Sequence, residues 1–91
     1  MNIAVRVSRH ARIRGAERFG LAHPLEIEAE VQEAFRAGRV SPAKPAGVRG
    51  REYVDVLYAT TEEEDHVYII SLDKVEEGFV VVTVLPVEEE A

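Results

Sequence analysis

Phe79-Val80-Val81-Val82-Thr83-Val84-Leu85 is the stretch that decides the fold. Seven uncharged residues, five of them β-branched, favour an extended strand over a helix. The run does not alternate, so both of its faces are apolar, as in a strand covered on both sides. Working upstream, the turn Lys74–Gly78 separates it from a β-rich segment, His66–Asp73. The acidic turn Thr61-Glu62-Glu63-Glu64-Asp65 separates that segment from another, Glu52–Thr60. Three such segments joined by short turns predict an antiparallel meander. Pro86 and Glu88–Glu90 end the sheet and discourage edge pairing.

Residues 41–50, Ser-Pro-Ala-Lys-Pro-Ala-Gly-Val-Arg-Gly, form a loop with two prolines and two glycines. It is either a plain connection or a mobile segment facing a substrate. Before it lie two helical patterns. Ser8 is suited to cap the first, which runs to Phe19 and closes at Gly20. Gly15 inside it costs about 1 kcal/mol relative to alanine. Pro24 suits the first turn of the second helix. Leu25, Ile27, Val31, Ala34 and Phe35 recur near helical spacing with Glu26, Glu28, Glu30 and Glu33 outside, and Gly38 closes it. Ile3–Val7 reads as a first strand. The expected fold class is therefore α+β, in the order β-α-α-β-β-β. Two helices pack on a four-stranded, mainly antiparallel sheet, with residues 1–91 as a single domain. Ile27, Val31, Phe35, Val82 and Val84 are expected in the core.

Ninety-one residues at 10.1 kDa supply one core. An apolar fraction of 46% with 31% charged residues argues for a folded chain. No apolar run approaches the roughly 20 residues of a membrane helix. The first residues lack a secretory pattern, and with no cysteine there is no disulfide, thiol nucleophile or thiolate metal site. A cytoplasmic protein without membrane contact is the expectation. The net charge of −6 hides an asymmetry. Residues 1–51 hold ten Lys+Arg and five Asp+Glu, whereas residues 52–91 hold one and twelve. Either the basic half meets a phosphate backbone, or the halves attract each other and the bases are solvated helix faces. One Asn and one Gln, with Arg in excess of Lys, hint at a thermophilic source.

At about 100° per residue, the first helix aligns His10, Arg14 and Arg18 on one stripe, with Glu17 beside it. Ile13, Ala16 and Phe19 lie opposite and are expected to meet the core. An imidazole beside two permanent cations suits an RNA backbone. Arginine forks bind phosphate oxygens, and an imidazole transfers protons near neutrality. The plainer reading is a solvated helix held by an Arg14–Glu17 pair. His10, His23 and His66 lack metal-ligand spacing, and Glu62–Asp65 lacks the pattern of a calcium loop. No metal and no cofactor are expected. Tyr53, Tyr58 and Tyr68 fall in strands, where core packing is their default role.

Ser8-Arg9-His10-Ala11-Arg12-Ile13-Arg14-Gly15-Ala16-Glu17-Arg18-Phe19-Gly20 resembles the S-(K/R)-H-A-x-x-R-x-x-E-R opening of small RelE-like proteins. Val80-Val81-Val82-Thr83-Val84-Leu85-Pro86 is similar to their closing V-V-T-V strand. The wider group is the RelE, barnase, EndoU and colicin-RNase superfamily. The resemblance covers most of the chain in element order and two short motifs in residue identity. It implies a metal-independent ribonuclease, often a toxin, with N-terminal helices on a four-stranded antiparallel sheet. It implies His10 as acid/base, Arg14 or Arg18 as phosphate ligand and Thr83 as a hydroxyl lining the site. Arg12 and Tyr68 are then expected to bind substrate. The partners implied are RNA and an antitoxin or other protein, with a homodimer as a further expectation. Two departures stand out: a pI near 5.0, where such toxins are basic, and a sheet with only Tyr68 and Lys74 of the usual basic and aromatic cluster. The alternative is a non-catalytic interaction module on the same fold, favoured by the acidic sheet half and by a last strand apolar on both faces.

Overall fold

The structure, a computed structural model, describes residues 3–20, 23–49, 53–75 and 77–88. In chain order they form β1 (Val5–Val7), α1 (Arg9–Phe19), α2 (Pro24–Ala37), β2 (Val40–Ser41), β3 (Leu57–Thr60), β4 (His66–Leu72) and β5 (Phe79–Pro86). Both helices begin and end where local chemistry directs. The Ser8 hydroxyl accepts from the Ala11 amide, and Gly20 and Gly38 close α1 and α2 in the left-handed region. His23 caps α2 through Nδ1, which accepts from the Leu25 amide at 3.1 Å, and Pro24 follows in the first turn.

The sheet has five strands, not four, in the order β1-β5-β4-β3-β2. The added strand is the two-residue β2, which pairs antiparallel with β3. So short a pairing carries no periodicity of its own. β3–β4 and β4–β5 are antiparallel, as the meander requires, and β1 joins β5 in parallel. β3 begins at Leu57 rather than near Glu52. Asp55, at φ 57°, takes a left-handed conformation that interrupts an extended chain, and Glu52 lies outside the described residues. Glu76 in the predicted turn, and Glu89 and Glu90 at the end of the sheet, also lie outside them. Gly78, at φ +127°, lets β5 start against β1. A Cβ there would strike the Ala4 carbonyl oxygen and lie 2.8 Å from the Ala4 Cβ.

One face of the sheet meets the helices. Ile27, Val31 and Ala34 of α2 and Ala11 of α1 pack with Val5, Ala59, Tyr68, Ile70, Val81 and Val84. Of the five expected core residues, Ile27, Val31 and Val84 are buried and Phe35 and Val82 partly so. The other face is covered too. Val48, with Tyr53 and Val56 beside it, packs on Tyr58, Val67 and Ile69. The segment after β2 is thus a third layer, which is why β5 is apolar on both sides. Among the described residues no helix is long and apolar enough to cross a membrane.

Two local features set the position of α1. First, β5 carries an irregularity. Ile69 pairs with Thr83, but Ile70 pairs with Val81, leaving Val82 as an extra residue. Such a bulge changes the facing of the residues beyond it. Val81 and Val84 therefore share the helix face, while Thr83 stands opposite Ile69 on the face covered by the loop. Second, β1 ends at Val7, and α1 lies along the β5 edge left open beyond it. The Ser8 amide donates to the Val81 carbonyl, the Ser8 hydroxyl to Val82 and Arg18 Nη1 to Val84. This edge contact corrects the phase expected for α1. Ala11 and Gly15 are buried against the fold, whereas Ile13 is 44% exposed and Ala16 is exposed. Small residues let the helix backbone approach the strand, so the larger apolar side does not have to.

Candidate functional site

With Ala11 and Gly15 facing inward, the His10, Arg14 and Arg18 stripe runs up the flank of α1. At about 100° per residue, Arg18 lies nearest the buried face and His10 farthest from it. Their hydrogen-bond partners follow that order, although Arg14 is half-buried and Arg18 exposed. Arg18 donates to the Val84 carbonyl at 3.3 Å, and Arg14 pairs with Glu17 Oε2 at 3.1 Å. His10 is exposed and has no hydrogen-bond or ion-pair partner among the described residues. Arg9 and Arg12 are exposed and equally unpaired, so α1 offers four arginines against a single carboxylate, Glu17. The structure thus groups His10, Arg14 and Arg18 on one helix flank, with Arg12 on the same helix.

Thr83 and Tyr68 stand elsewhere. Thr83 is 5% exposed on β5, on the face away from the helices. Tyr68 is 1% exposed on β4, and its hydroxyl donates to Glu30 Oε1 at 2.6 Å. Burial raises the Tyr68 phenol far above the usual tyrosine range, and the neighbouring Glu30 carboxylate adds to the effect.

Tyr68 belongs to a buried polar cluster that the sequence reading did not assemble. His66 and Tyr68, two apart on one strand, share a face. His66 Nε2 lies 3.0 Å from the Tyr68 oxygen and 3.7 Å from Glu30 Oε1. His66 Nδ1 lies 3.0 Å from Asp65 Oδ1, and Phe19 from the end of α1 stacks on the imidazole with centroids 4.4 Å apart. Thr61 Oγ1 donates to the same Asp65 oxygen at 2.7 Å. Burial opposes ionisation of Asp65, but the Thr61 bond and His66 outweigh it, and its carboxyl sits below the usual carboxylate value. The i, i+2 spacing of His66 and Tyr68 was the one signal in the sequence. Glu30 joins from 36 residues away and had none.

Two depressions lie near this cluster. One, of about 440 Å³, is lined by Arg39, Ser41, Pro45, Thr60, Glu64 and Val87 among others. The other, of about 210 Å³, is lined by Glu30, Glu33, Arg39, Thr61 and Glu62 with Ala29. No group of three or more His, Asp or Glu side chains among the described residues could hold a metal ion. Comparison with protein-family models, curated proteins and solved structures gave no match to this chain.

Proposed function

We propose that the protein is a small RelE-like ribonuclease that cleaves RNA by attack of a 2′-hydroxyl on its own phosphodiester, without a metal. The observation that carries the reading is the state of His10. It is an exposed imidazole with no protein partner, one turn before Arg14 on a helix whose charge is almost wholly arginine. His10 accepts the 2′-hydroxyl proton as the oxygen attacks phosphorus. The O5′ bond breaks, that oxygen takes a proton from solvent, and a 2′,3′-cyclic phosphate and a 5′-hydroxyl remain. Arg14 turns from its exposed pair with Glu17 to the non-bridging oxygens, where charge grows. Such surface pairs contribute only about 0–1 kcal/mol, so releasing Glu17 costs little. Arg9 and Arg12 extend the contact along the RNA backbone, and Arg18 holds the helix on the strand. Induced expression of wild type beside His10→Ala tests this reading. Growth arrest with RNA fragmentation in wild type alone supports it, and equal, harmless outcomes reject it.

A second reading is a non-catalytic docking module, and the observation favouring it is Ile13. This side chain is 44% exposed on α1 within one turn of His10 and Glu17, an apolar residue on a charged flank. At its Leu85 end, the back of β5 packs against Val48 and its neighbours.

A further inference from the structure

The larger depression gathers three segments that are far apart in the chain. The loop after β2 supplies Pro45 and Ala46, the β3–β4 turn supplies Glu64, and the chain just past β5 supplies Val87. Backbone bonds tie the three together. The Val87 amide donates to the Asp65 carbonyl at 3.0 Å, and the Glu88 amide donates to the Gly47 carbonyl at 2.9 Å. Glycine is required at position 47, because a Cβ there would strike the Glu88 carbonyl oxygen. The walls are therefore fixed before any ligand arrives, and about 440 Å³ falls within the roughly 300–1,000 Å³ of small-molecule sites. No residue of α1 lines this space, so it is separate from the His10 flank.

Arg39, which also lines it, is held at three points. Its amide donates to the Ala34 carbonyl at 2.8 Å, its carbonyl accepts from the Thr60 amide at 3.0 Å, and its Nε donates to the Thr60 carbonyl at 3.0 Å. Its two terminal nitrogens have no partner among the described residues, which leaves the end of the guanidinium fork for an outside acceptor. The Glu64 carboxylate is likewise unpaired among them, so opposite charges line one space without meeting. Carboxylates prevail around Arg39, since Glu30, Glu33 and Glu62 line the smaller depression that it also borders. That field repels a free anion, and Arg39 repels a free cation. A molecule carrying both charges meets each with its opposite.

We propose that this depression binds a free amino acid with an apolar side chain. The ligand carboxylate lies on Arg39, its ammonium group on Glu64 and its side chain against Pro45, Ala46 and Val87. The Ser41 hydroxyl, which accepts from the Ala43 amide at 3.1 Å, keeps its own hydrogen for a ligand oxygen. A residue at the end of a long peptide brings only one of the two charges, so the free monomer is the better fit.

The test is amide NMR of the labelled wild-type protein titrated with leucine, methionine and phenylalanine. The tightest binder is then compared with its own deaminated and decarboxylated analogues, which for leucine are 4-methylpentanoate and 3-methylbutylamine. At least one amino acid should shift the Arg39, Ser41, Ala46 and Glu64 amides saturably by about 10 mM. Each analogue lacks one charged contact and should bind about tenfold more weakly or worse. Glu64 is exposed and glutamine keeps its shape, so Glu64→Gln should stay folded. It should weaken the amino acid about tenfold and bind the deaminated analogue no worse than wild type does. No saturable shift at these amides with any of the three overturns the proposal. So does an analogue that binds as well as its parent, or amino-acid binding that Glu64→Gln leaves unchanged.

Discussion

Arg18 Nη1 donates to the backbone carbonyl of Val84 at 3.3 Å, so a side chain that reads as a phosphate ligand closes the open edge of a strand. Together with Ser8, which bonds the Val81 and Val82 carbonyls, it holds α1 along β5. Arg18→Ala should therefore lower stability by about 0.5–1.5 kcal/mol, the usual net value of one such hydrogen bond. Ser8→Ala removes a cap as well and should lower it by about 1–2 kcal/mol. Denaturant titration of both variants checks the order. An Arg18→Ala protein as stable as wild type would show that the edge contact carries no weight.

Arg14→Ala should behave in the opposite way. Its pair with Glu17 is exposed, so the change in stability should stay below about 1 kcal/mol. Cleavage of RNA should slow by roughly 30- to 1000-fold, as when a single charge-stabilising donor worth about 2–4 kcal/mol is removed. The contrast between unfolding and kinetic measurements on Arg14→Ala and Arg18→Ala separates a substrate contact from a structural one.

The parts of this architecture written in local chemistry were legible in the sequence. Ser8, Gly20, Pro24 and Gly38 punctuate the helices where they stand in the fold, and the meander follows from its turns. What escaped was set at long range. The phase of α1 depends on the edge of β5, so Ile13 and Ala16, expected in the core, are exposed while Ala11 and Gly15 are buried. The facing of Thr83 depends on a bulge at Val82 that a run of valines does not announce. The cluster of His66, Tyr68 and Glu30 exists only once α2 crosses the sheet. Of the candidate site, the grouping of His10, Arg14 and Arg18 was visible because helical spacing alone determines it.

Stability should fall in acid. The Asp65 carboxyl sits below its ordinary value in the fold, so its contribution is present above the unfolded-state value and is lost as pH falls through the folded one. Thermal unfolding of wild type and Asp65→Asn across the acid range should show a smaller acid loss in the variant. Identical pH profiles would contradict this.

Tyr68→Phe should cost about 1–3 kcal/mol, because it strands His66 Nε2 in a buried site without its oxygen partner. In wild type the raised Tyr68 phenol should stay protonated beyond the usual tyrosine range. Its stabilising contribution is complete below the unfolded-state value and fades as pH rises toward the folded one. Absorbance titration at alkaline pH of wild type against Tyr68→Phe should show the Tyr68 contribution ionising only as the chain unfolds.

Gly78→Ala should be the most damaging of these changes, at more than about 2 kcal/mol. It combines a left-handed backbone with a clash against Ala4. Loss of the parallel β1–β5 pairing, followed by amide exchange at Val5–Val7, is the direct readout.

The most direct test of the ribonuclease reading is incubation of purified wild type and His10→Ala with a defined single-stranded RNA in excess chelator, followed by analysis of the product ends. The expected result is chelator-resistant cleavage by wild type to 2′,3′-cyclic phosphate and 5′-hydroxyl ends, nearly abolished in a His10→Ala protein that remains folded. Intact RNA with wild type, or equal cleavage by both proteins, contradicts it.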